Sequence, residues 1–324
     1  MRATASACLC IRFSTRDQPQ RERVPFWCEF FGRHVIRTRI ELLSETFDAR
    51  STLWSVPGLR VHWSSYSAGA RILRPRELIS ADDDNIALLI DRRGTAAFSQ
   101  AGHDVVLDRG AGVAALQTEP ASMVFPRVHY MAVMAPLKVL HPLTRSVEDR
   151  AGHHIPSNTE ALRLLAGYVG LLRRELSVSD RRLTALAVPH IHDLMALALG
   201  ATRDGAMLAL GRGVRAARLK AIQAYICENL ARHDLSVQRV AAHYRLSPRY
   251  IHMLFEDEGT TFSTFVREQR LLRARAMLRS PRYAEHSISS ISFAVGFSDL
   301  SHFNRSFRKS FGATPTEVRP AANS

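Results

Sequence analysis

The sequence has little cysteine, which limits the classes of protein to which it can belong. Its four cysteines are Cys8, Cys10, Cys28 and Cys227. Cys8 and Cys10 lie two residues apart, but no second Cys or His pair has the spacing of a zinc site. We therefore expect free thiols, which suit a reducing compartment.

The sequence also lacks long hydrophobic runs. No run approaches the roughly 18 apolar residues that are needed to span a membrane. The apolar residues 7–11 are too few for a signal peptide. We expect a cytoplasmic protein that has no membrane partner.

Acidic residues are in the minority, since 44 Lys and Arg stand against 30 Asp and Glu and give a formal net charge of +14. Residues 212–324 carry 18 basic against 9 acidic residues, whereas the rest of the chain carries 26 against 21. Nearly all of this excess is Arg, which can bind a phosphate or a guanine through two donors. The concentration of charge at one end favours a nucleic-acid-binding face over uniform basicity.

The pattern of residues changes along the chain, whose 324 residues are enough for about two domains. Residues 1–22 are polar and lack periodicity, which predicts a disordered tail. Residues 23–150 contain short apolar runs separated by glycine turns, which predict a strand-rich sandwich or barrel. The acidic run 82–84 fits a cation site or, more often for such runs, a solvated turn.

Two apolar stripes at helical spacing predict a helix pair in residues 155–200. The first stripe consists of Leu162, Leu165, Val169, Leu172 and Leu176, and the second of Leu183, Ala187, Ile191, Leu194 and Ala198. Such a pair can be core or a dimer interface, and we expect 155–200 to be a dimerisation segment. Four glycines then interrupt the helical pattern and predict an interdomain linker over 201–214.

A helix-turn-helix is predicted after this linker. A short helix spans 237–243, and Ser247 caps the next helix with Pro248 at its first position. Apolar residues at 251, 254 and 255 form the buried stripe of that second helix. Arg249, His252 and Met253 therefore project from its opposite side, as in a DNA-reading helix.

The same arrangement recurs after a long helix over about 263–278, whose apolar face rotates along its length. Asp299 is a good N-cap for another helix, which buries the aromatic residues at 303, 307 and 311. Ser301, His302 and Arg305 face outward on that helix. The basic Arg308 and Lys309 follow further along it.

The C-terminal motifs lie at fixed offsets along residues 215–321. They are Leu235-Ser236, Val240-Ala241, Ser247-Pro248-Arg249-Tyr250-Ile251, Leu254-Phe255, Gly259, Phe262, Arg270-Leu271, Ala274, Leu278, Ile288, Ile291, Val295-Gly296-Phe297-Ser298-Asp299, Ser301-His302-Phe303, Arg305, Phe307-Arg308-Lys309, Phe311-Gly312 and Thr314-Pro315. In these residues the chain resembles the AraC/XylS family of bacterial transcription regulators. The resemblance implies two helix-turn-helix subdomains bridged by a long helix, with each reading helix in one major-groove segment.

Candidate DNA contacts follow from this resemblance, position by position. The base-reading candidates are Arg249, His252, Met253, Ser301, His302 and Arg305. The phosphate-binding candidates are Arg245, Ser247, Tyr250, Arg308 and Lys309. Two positions depart from the family pattern. Arg245 replaces a turn glycine, which costs about 1 kcal/mol of stability if its backbone is left-handed. Ser292 replaces a small apolar residue.

The strand-rich region resembles the AraC-type ligand-binding domain, a cupin-like barrel. The matching residues are Phe26-Trp27, Ala81-Asp82-Asp83, Gly94, Gln100-Ala101-Gly102, Gly110 and Glu119-Pro120. The resemblance departs at Arg109 and Ala121, where the family usually has a proline and an aromatic residue. It implies an α+β chain in which Trp63, Tyr66 and Phe98 are the candidates to line an effector pocket.

The histidines of the first two hundred residues are not expected to form a metal site. His62, His103 and His129 are isolated, so the three-ligand arrangement of a catalytic metal is missing. His190 and His192 lie two apart on a helix and face different ways. We therefore expect no metal, no cofactor, no catalytic residue and no enzymatic activity.

Two functional hypotheses remain for a regulator that binds double-stranded DNA. In the first, the barrel binds a small effector and the protein is an effector-responsive activator. In the second, the barrel binds no ligand and only dimerises the chain or contacts proteins. In either case we expect a homodimer and contact with RNA polymerase.

Overall fold

The computed structural model describes residues 9–44, 47–80, 83–144, 146–175 and 181–320, without the side chains of 174, 175 and 181–183. The chain divides into two compact units, Met1–Ala217 and Arg218–Ser324. The first is rich in strands and the second is helical, so the expected α+β class with a strand-rich N-terminal domain is confirmed.

Twelve strands in the described part of the first unit form two antiparallel sheets. They are β1 (Leu9–Ser14), β2 (Arg39–Leu42), β3 (Ala49–Val56), β4 (Leu59–Tyr66), β5 (Ala70–Arg74), β6 (Asn85–Asp91), β7 (Ala96–Gln100), β8 (His103–Leu107), β9 (Gly112–Leu116), β10 (Ala121–Phe125), β11 (His129–Pro136) and β12 (His154–Ile155). The larger sheet has the order β1-β3-β4-β11-β6-β9-β12, and the smaller has the order β2-β5-β10-β7-β8.

The larger sheet is buried on both faces. Tyr130 and Ala132 of β11 pack with the smaller sheet in one core. Met131 and Val133, which alternate with them, pack against helices in a second core. Burial on two faces explains the continuous apolar run along β6, because neither side of that strand meets water.

Most helices of the first unit follow its strands, but one lies near the start and another precedes β12. They are α1 (Arg23–Pro25), α2 (Leu137–Leu140), α3 (Glu160–Glu175), α4 (Arg181–Leu199) and α5 (Arg203–Ala209). Two π-helical segments, Phe26–Val35 and Leu210–Val214, continue α1 and α5. The first carries Trp27 and Phe31, which are fully buried in the core between the sheets.

The prediction of a disordered tail over 1–22 is wrong for residues 9–22, while residues 1–8 lie outside the described part. Strand β1 pairs with β3 along its whole length, from Leu9 opposite Ser55 to Ser14 opposite Arg50. Thr15 is fully buried, and its hydroxyl oxygen accepts a hydrogen bond of 2.9 Å from the Ala49 amide. Edge pairing orders this segment although its composition is polar.

The predicted dimerisation segment over 155–200 is largely internal core. Leu162, Leu165, Val169 and Leu172 on α3 are at most 1% exposed and pack with α4 and the larger sheet. Leu176 and the side chain of Leu183 lie outside the described residues. The described residues of both stripes pack in the protein's own core, so they offer little surface to a second chain.

The predicted linker over 201–214 is helical, which corrects the interpretation of its glycines. A Cβ added to Gly205 would lie 2.2 Å from the carbonyl oxygen of Leu143, and one added to Gly213 would lie 2.7 Å from Asp193 Cβ. These glycines are sites of close packing rather than of flexibility. The division between the two units falls later, after Ala217.

The second unit consists of seven α-helices within residues 218–320, the first of which begins just before the division. They are α6 (Arg215–Glu228), α7 (Val237–Tyr244), α8 (Pro248–Glu256), α9 (Phe262–Arg279), α10 (Ile288–Ala294), α11 (Leu300–Phe311) and α12 (Pro315–Val318). Helix α9 buries Val266 in a core with α6, α7 and α8. It buries Leu271 and Leu278 in a second core with α10 and α11, which confirms the predicted rotation of its apolar face.

Candidate nucleic-acid interface and interior cavity

The first helix-turn-helix consists of α7 and α8, and each helix has a side-chain cap. Ser236 Oγ accepts a hydrogen bond from the Arg239 amide at the start of α7. Ser247 Oγ accepts one of 3.2 Å from the Tyr250 amide at the start of α8, where Pro248 occupies the first turn. These local signals place the start of α8 where the sequence predicted it.

The outer face of α8 is polar and open to solvent. Arg249 and His252 are exposed and Met253 is half-buried, whereas the opposite face is buried in the first core. Tyr250 is partly covered, because Arg218 lies over its ring at 5.6 Å and donates a hydrogen bond of 3.3 Å to its hydroxyl oxygen. The side chains free to approach a groove are therefore those of Arg249, His252 and Met253.

The second helix-turn-helix consists of α10 and α11. Asp299 caps α11 by accepting a hydrogen bond from the His302 amide. Ser301, His302 and Arg305 are exposed, while the aromatic residues of the opposite face are buried in the second core. The unit thus presents a second capped helix with a polar outer face.

Basic residues extend both helical faces. Arg308 and Lys309 are exposed in the last turn of α11, and Arg245 is exposed in the turn before α8. Ser247 is also exposed, and its oxygen serves as the cap of α8. The phosphate-binding candidates Arg245, Ser247, Arg308 and Lys309 therefore lie near the ends of the helices that carry the base-reading candidates.

Each helix-turn-helix has a residue with a left-handed backbone in its turn, but the residue type differs between the two. Arg245 ends α7 with φ +54°, where the family pattern has glycine, so the conditional strain of about 1 kcal/mol applies. Gly296 in the second turn has φ +102°, and an added Cβ would lie 2.2 Å from the carbonyl oxygen of Leu230. Only the second turn excludes a side chain by contact.

The other departure from the family pattern is Ser292. Its side chain is fully buried beside Ile291, and its hydroxyl finds no hydrogen-bond partner within the described residues. A small apolar residue would leave no such group unsatisfied. The substitution therefore costs stability in the second subdomain without opening a new contact.

Arg270 is a positioning residue that the sequence analysis identified only as part of a motif. Its Nε donates to the carbonyl oxygen of Leu230 at 3.0 Å, and its Nη2 donates to that of Arg232 at 2.9 Å. Partial burial lowers its pKa. Arg270 thereby joins α9 to the segment after α6. In the sequence, its position at the point where the apolar face of α9 rotates was the feature that could have indicated this role.

A cavity of about 490 Å³ lies within the first unit, between its two sheets. Much of its wall is apolar and includes Leu53, Leu89, Phe98, Met123 and Met134. The volume is within the usual range of small-molecule sites. The first unit therefore contains a space between its sheets that is large enough for an organic ligand.

One wall of the cavity carries a buried polar cluster around His62. The hydroxyl oxygens of Ser51 and Ser64 lie 2.6 and 2.9 Å from His62 Nε2, and the Tyr130 hydroxyl lies 3.2 Å from Nδ1. Burial, together with the nearby charge of Arg60, lowers the pKa of His62 to about 3. His62 is therefore a neutral polar group that sequence reasoning treated only as an isolated histidine.

Another part of the wall is basic. Arg74 Nη2 pairs with Asp83 at 2.7 Å, and Arg37 Nη1 pairs with the same carboxylate oxygen at 3.2 Å. Arg60 also lines the cavity. Asp83 is thus paired with arginine, which fits neither a cation site nor a solvated turn, while Asp82 lies outside the described residues.

The three residues predicted to line an effector pocket separate in the structure. Phe98 lines the cavity. Trp63 faces the helices on the other side of the larger sheet, where Arg173 lies 5.5 Å from its ring centre. Tyr66 is 2% exposed and packs against Trp27 and Phe47. Alternation along β4 turns His62 rather than Trp63 inward, so the prediction is wrong for Trp63. Tyr66 lies on the inner face, but its ring packs in the core and does not line this cavity.

Metal-ligating residues do not cluster in the described ranges. No group of three or more His, Cys, Asp or Glu side chains there could hold a metal ion. Cys10, Cys28 and Cys227 form no disulfide within those ranges. In the same part of the chain, no helix is both long and apolar enough to cross a membrane.

Comparison with protein families identifies both units. A model described as an AraC-binding-like domain matches residues 27–200, and a model described as a helix-turn-helix domain matches residues 240–321. The first match covers more than half of the chain.

Individual proteins are also similar to this chain. The transcriptional activator RhrA of Rhizobium meliloti is 35% identical over 161 residues, which are 50% of this chain and 49% of that protein. The transcriptional activator NphR of a Rhodococcus species is 28% identical over 266 residues, or 79% of this chain and 76% of that protein. The chain thus spans about half the length of the first relative and three quarters of the second. A solved structure, the AraC-like transcriptional activator CuxR, has 18% identity and a TM-score of 0.47 over 82% of this chain and 95% of that one.

Proposed function

The chain belongs to the AraC family of DNA-binding transcriptional regulators, and on this premise we propose that it is an effector-responsive activator. In this proposal, helices α8 and α11 enter adjacent major-groove segments on one face of the DNA. The names of two relatives, both transcriptional activators, support activation rather than repression.

A single observation carries the DNA-binding part of the proposal. Two capped helices in one unit each bury an apolar face and expose a polar face that contains arginine. An arginine can bridge O6 and N7 of guanine, and Ser or His can bond to either groove edge. We assign Arg249, His252, Met253, Ser301, His302 and Arg305 to the base edges.

We assign phosphate contacts to the residues at the margins of these helices. Arg245, Arg308 and Lys309 are exposed cations. Ser247 and Tyr250 use their hydroxyl oxygens as acceptors within the protein, so each retains an O–H that can donate to a phosphate. Such contacts fix orientation and carry no sequence information directly.

The cavity favours the effector-responsive hypothesis over a ligand-independent one. A module that only dimerised or contacted proteins would need no interior space of about 490 Å³. We further propose that the protein is a cytoplasmic homodimer that contacts RNA polymerase and has no enzymatic activity. Sedimentation of the full chain tests the dimer, and a monomer at micromolar concentration would contradict it.

Selection of bound sites from random duplex DNA with the full chain tests DNA recognition. We expect enrichment of sites with two conserved segments, one for each reading helix. Affinity for a selected site should fall steeply as salt rises, because the protein's Lys and Arg side chains release counterions from the DNA phosphates when they bind. A folded protein that enriches no sequence would contradict the proposal.

A matched variant separates specific loss from loss of charge. Arg305→Ala removes an exposed arginine from α11, and Arg33→Ala removes an exposed arginine from the first unit. Only Arg305→Ala should weaken binding to the selected site. Equal effects of the two variants would show that net charge, rather than the reading helix, determines affinity.

A further inference from the structure

We propose that the cavity of the first unit takes a small organic anion with an apolar body, and that Arg60 and Arg37 bind its acidic group. The inference rests on the proposed effector-responsive function and names the chemical class of the effector. It follows from the charges, the walls and the size of the cavity.

The cavity has more positive than negative charge. Arg37, Arg60 and Arg74 line it, whereas Asp83 is the one carboxylate among its described lining residues. Asp83 pairs with Arg74 and Arg37. Arg60 makes no ion pair with any described residue, so the described lining residues carry a net charge of two positive units.

These three arginines lie close enough to affect one another. Burial lowers the pKa of Arg74, and the charges of Arg37 and Arg60 lower it further, while Asp83 opposes them. A bound anion would offset this repulsion, which acts most strongly on Arg74 because that side chain is only 7% exposed. A cation would add to it.

The backbone of Arg37 is held in place for such a role. Arg37 has φ +53°, a left-handed conformation that is unfavourable for a residue with a side chain. Arg74 Nη1 donates to the Arg37 carbonyl oxygen at 3.4 Å, while its Nε donates to that of Gln117 at 3.0 Å. Strain of this kind persists where the surrounding structure enforces it, as at ligand sites.

The remaining walls suit an apolar body. Leu53, Leu89, Phe98 and Met134 contribute hydrocarbon, ring and thioether surface. His62 lines the same space but stays neutral near physiological pH, so the charge that selects the ligand comes from arginine. A volume of about 490 Å³ accommodates an aromatic or medium-chain aliphatic acid rather than an inorganic ion alone.

Isothermal titration of the full chain with matched probes tests this inference. Benzoate, benzamide and benzylamine share a ring and differ in charge, and octanoate and octanamide form a second pair. We expect an acid of at least one series to bind, its amide to bind at least tenfold more weakly, and the amine not to bind. Failure of both acids to bind at millimolar concentration would overturn the inference, and so would amides that bind as tightly as the acids.

A variant assigns the charge to its residue. Arg60→Gln should weaken binding of the acid about ten- to a hundredfold and leave the amide unaffected, because charge-assisted hydrogen bonds are lost. Arg50→Gln is the control, since Arg50 is an exposed arginine on the neighbouring strand β3 that does not line the cavity. Unchanged affinity in Arg60→Gln, with thermal unfolding like that of the parent, would refute the assignment.

Binding of the full chain to its selected DNA distinguishes a failure of this inference from a failure of the proposed function. If neither acid binds but DNA recognition persists, the anion inference falls and the regulator stands. If the chain enriches no DNA sequence, the proposed function falls whatever the cavity binds.

Discussion

A buried ion pair at the end of the first unit offers a stringent test of its packing. Asp193 on α4 is fully buried and accepts hydrogen bonds of 2.7 and 2.8 Å from Nε and Nη2 of Arg212. Arg212 lies in the π-helical segment that follows α5, and about half of its side chain is exposed. Gly213 allows this segment to approach Asp193 closely.

Replacing Arg212 with Leu should destabilise the first unit by about 2–3 kcal/mol. Removing one partner of a fully buried pair costs about 3–5 kcal/mol, but water can reach the exposed side of Arg212 and lowers the cost here. The loss consists mainly of two charge-assisted hydrogen bonds and the desolvation of an unpaired carboxylate. The double variant Asp193→Leu/Arg212→Leu should recover most of the loss, because it leaves no buried charge.

Urea unfolding followed by tryptophan fluorescence measures this effect. The three tryptophans, at positions 27, 54 and 63, all lie in the first unit and report on it alone. Arg203→Leu is the control, because Arg203 is an exposed arginine at the start of α5, and its effect should stay within about 0.5 kcal/mol. A cost of Arg212→Leu no larger than that of the control would refute the reasoning, as would a double variant with the summed loss of both single variants.

Three further predictions concern single residues. Arg245→Gly should stabilise the second unit by about 1 kcal/mol, because φ +54° costs glycine nothing; thermal unfolding of the full chain measures it, and a destabilised variant would contradict it. Ser292→Ala should also stabilise that unit by about 1 kcal/mol, since its buried hydroxyl has no described partner, and an unchanged midpoint would show that the hydroxyl is satisfied. Folding lowers the pKa of His62, so below about pH 6.5 this side chain is protonated in the unfolded chain but not in the folded one. The free energy of unfolding should therefore fall by about 1.4 kcal/mol as the pH is lowered from about 7.5 to about 5.5. Urea unfolding of His62→Gln should show a pH dependence smaller by that amount, and an equal dependence would contradict the neutral assignment.

The helix starts in the second unit were predictable because their causes are local. Ser247 and Asp299 cap α8 and α11 through amides only three residues away. The apolar stripe of each helix then decides which side chains face outward. The helices and their outer faces therefore follow from short stretches of sequence, whereas the tie made by Arg270 depends on residues about 40 positions away.

The first unit was harder to predict because its contacts are long-range. Alternation along β4 separates His62 from Trp63 but does not say which of them faces the cavity, since both faces of the larger sheet are buried. The stripe on α3 shows an apolar face without showing that the protein's own sheet covers it. Gly205 and Gly213 resemble linker glycines until the neighbouring helix and loop are known.

The central claim is that α8 and α11 each read bases in a different segment of the DNA. The most direct measurement repeats the selection of bound DNA with full-length Arg249→Ala and Arg305→Ala and compares the enriched sites with those of the parent. We expect each variant to lose preference at one base position, about 1–3 kcal/mol of discrimination, with the two positions in different conserved segments. Weaker binding to all sequences alike, with every base preference intact, would make these arginines phosphate contacts and would contradict the claim.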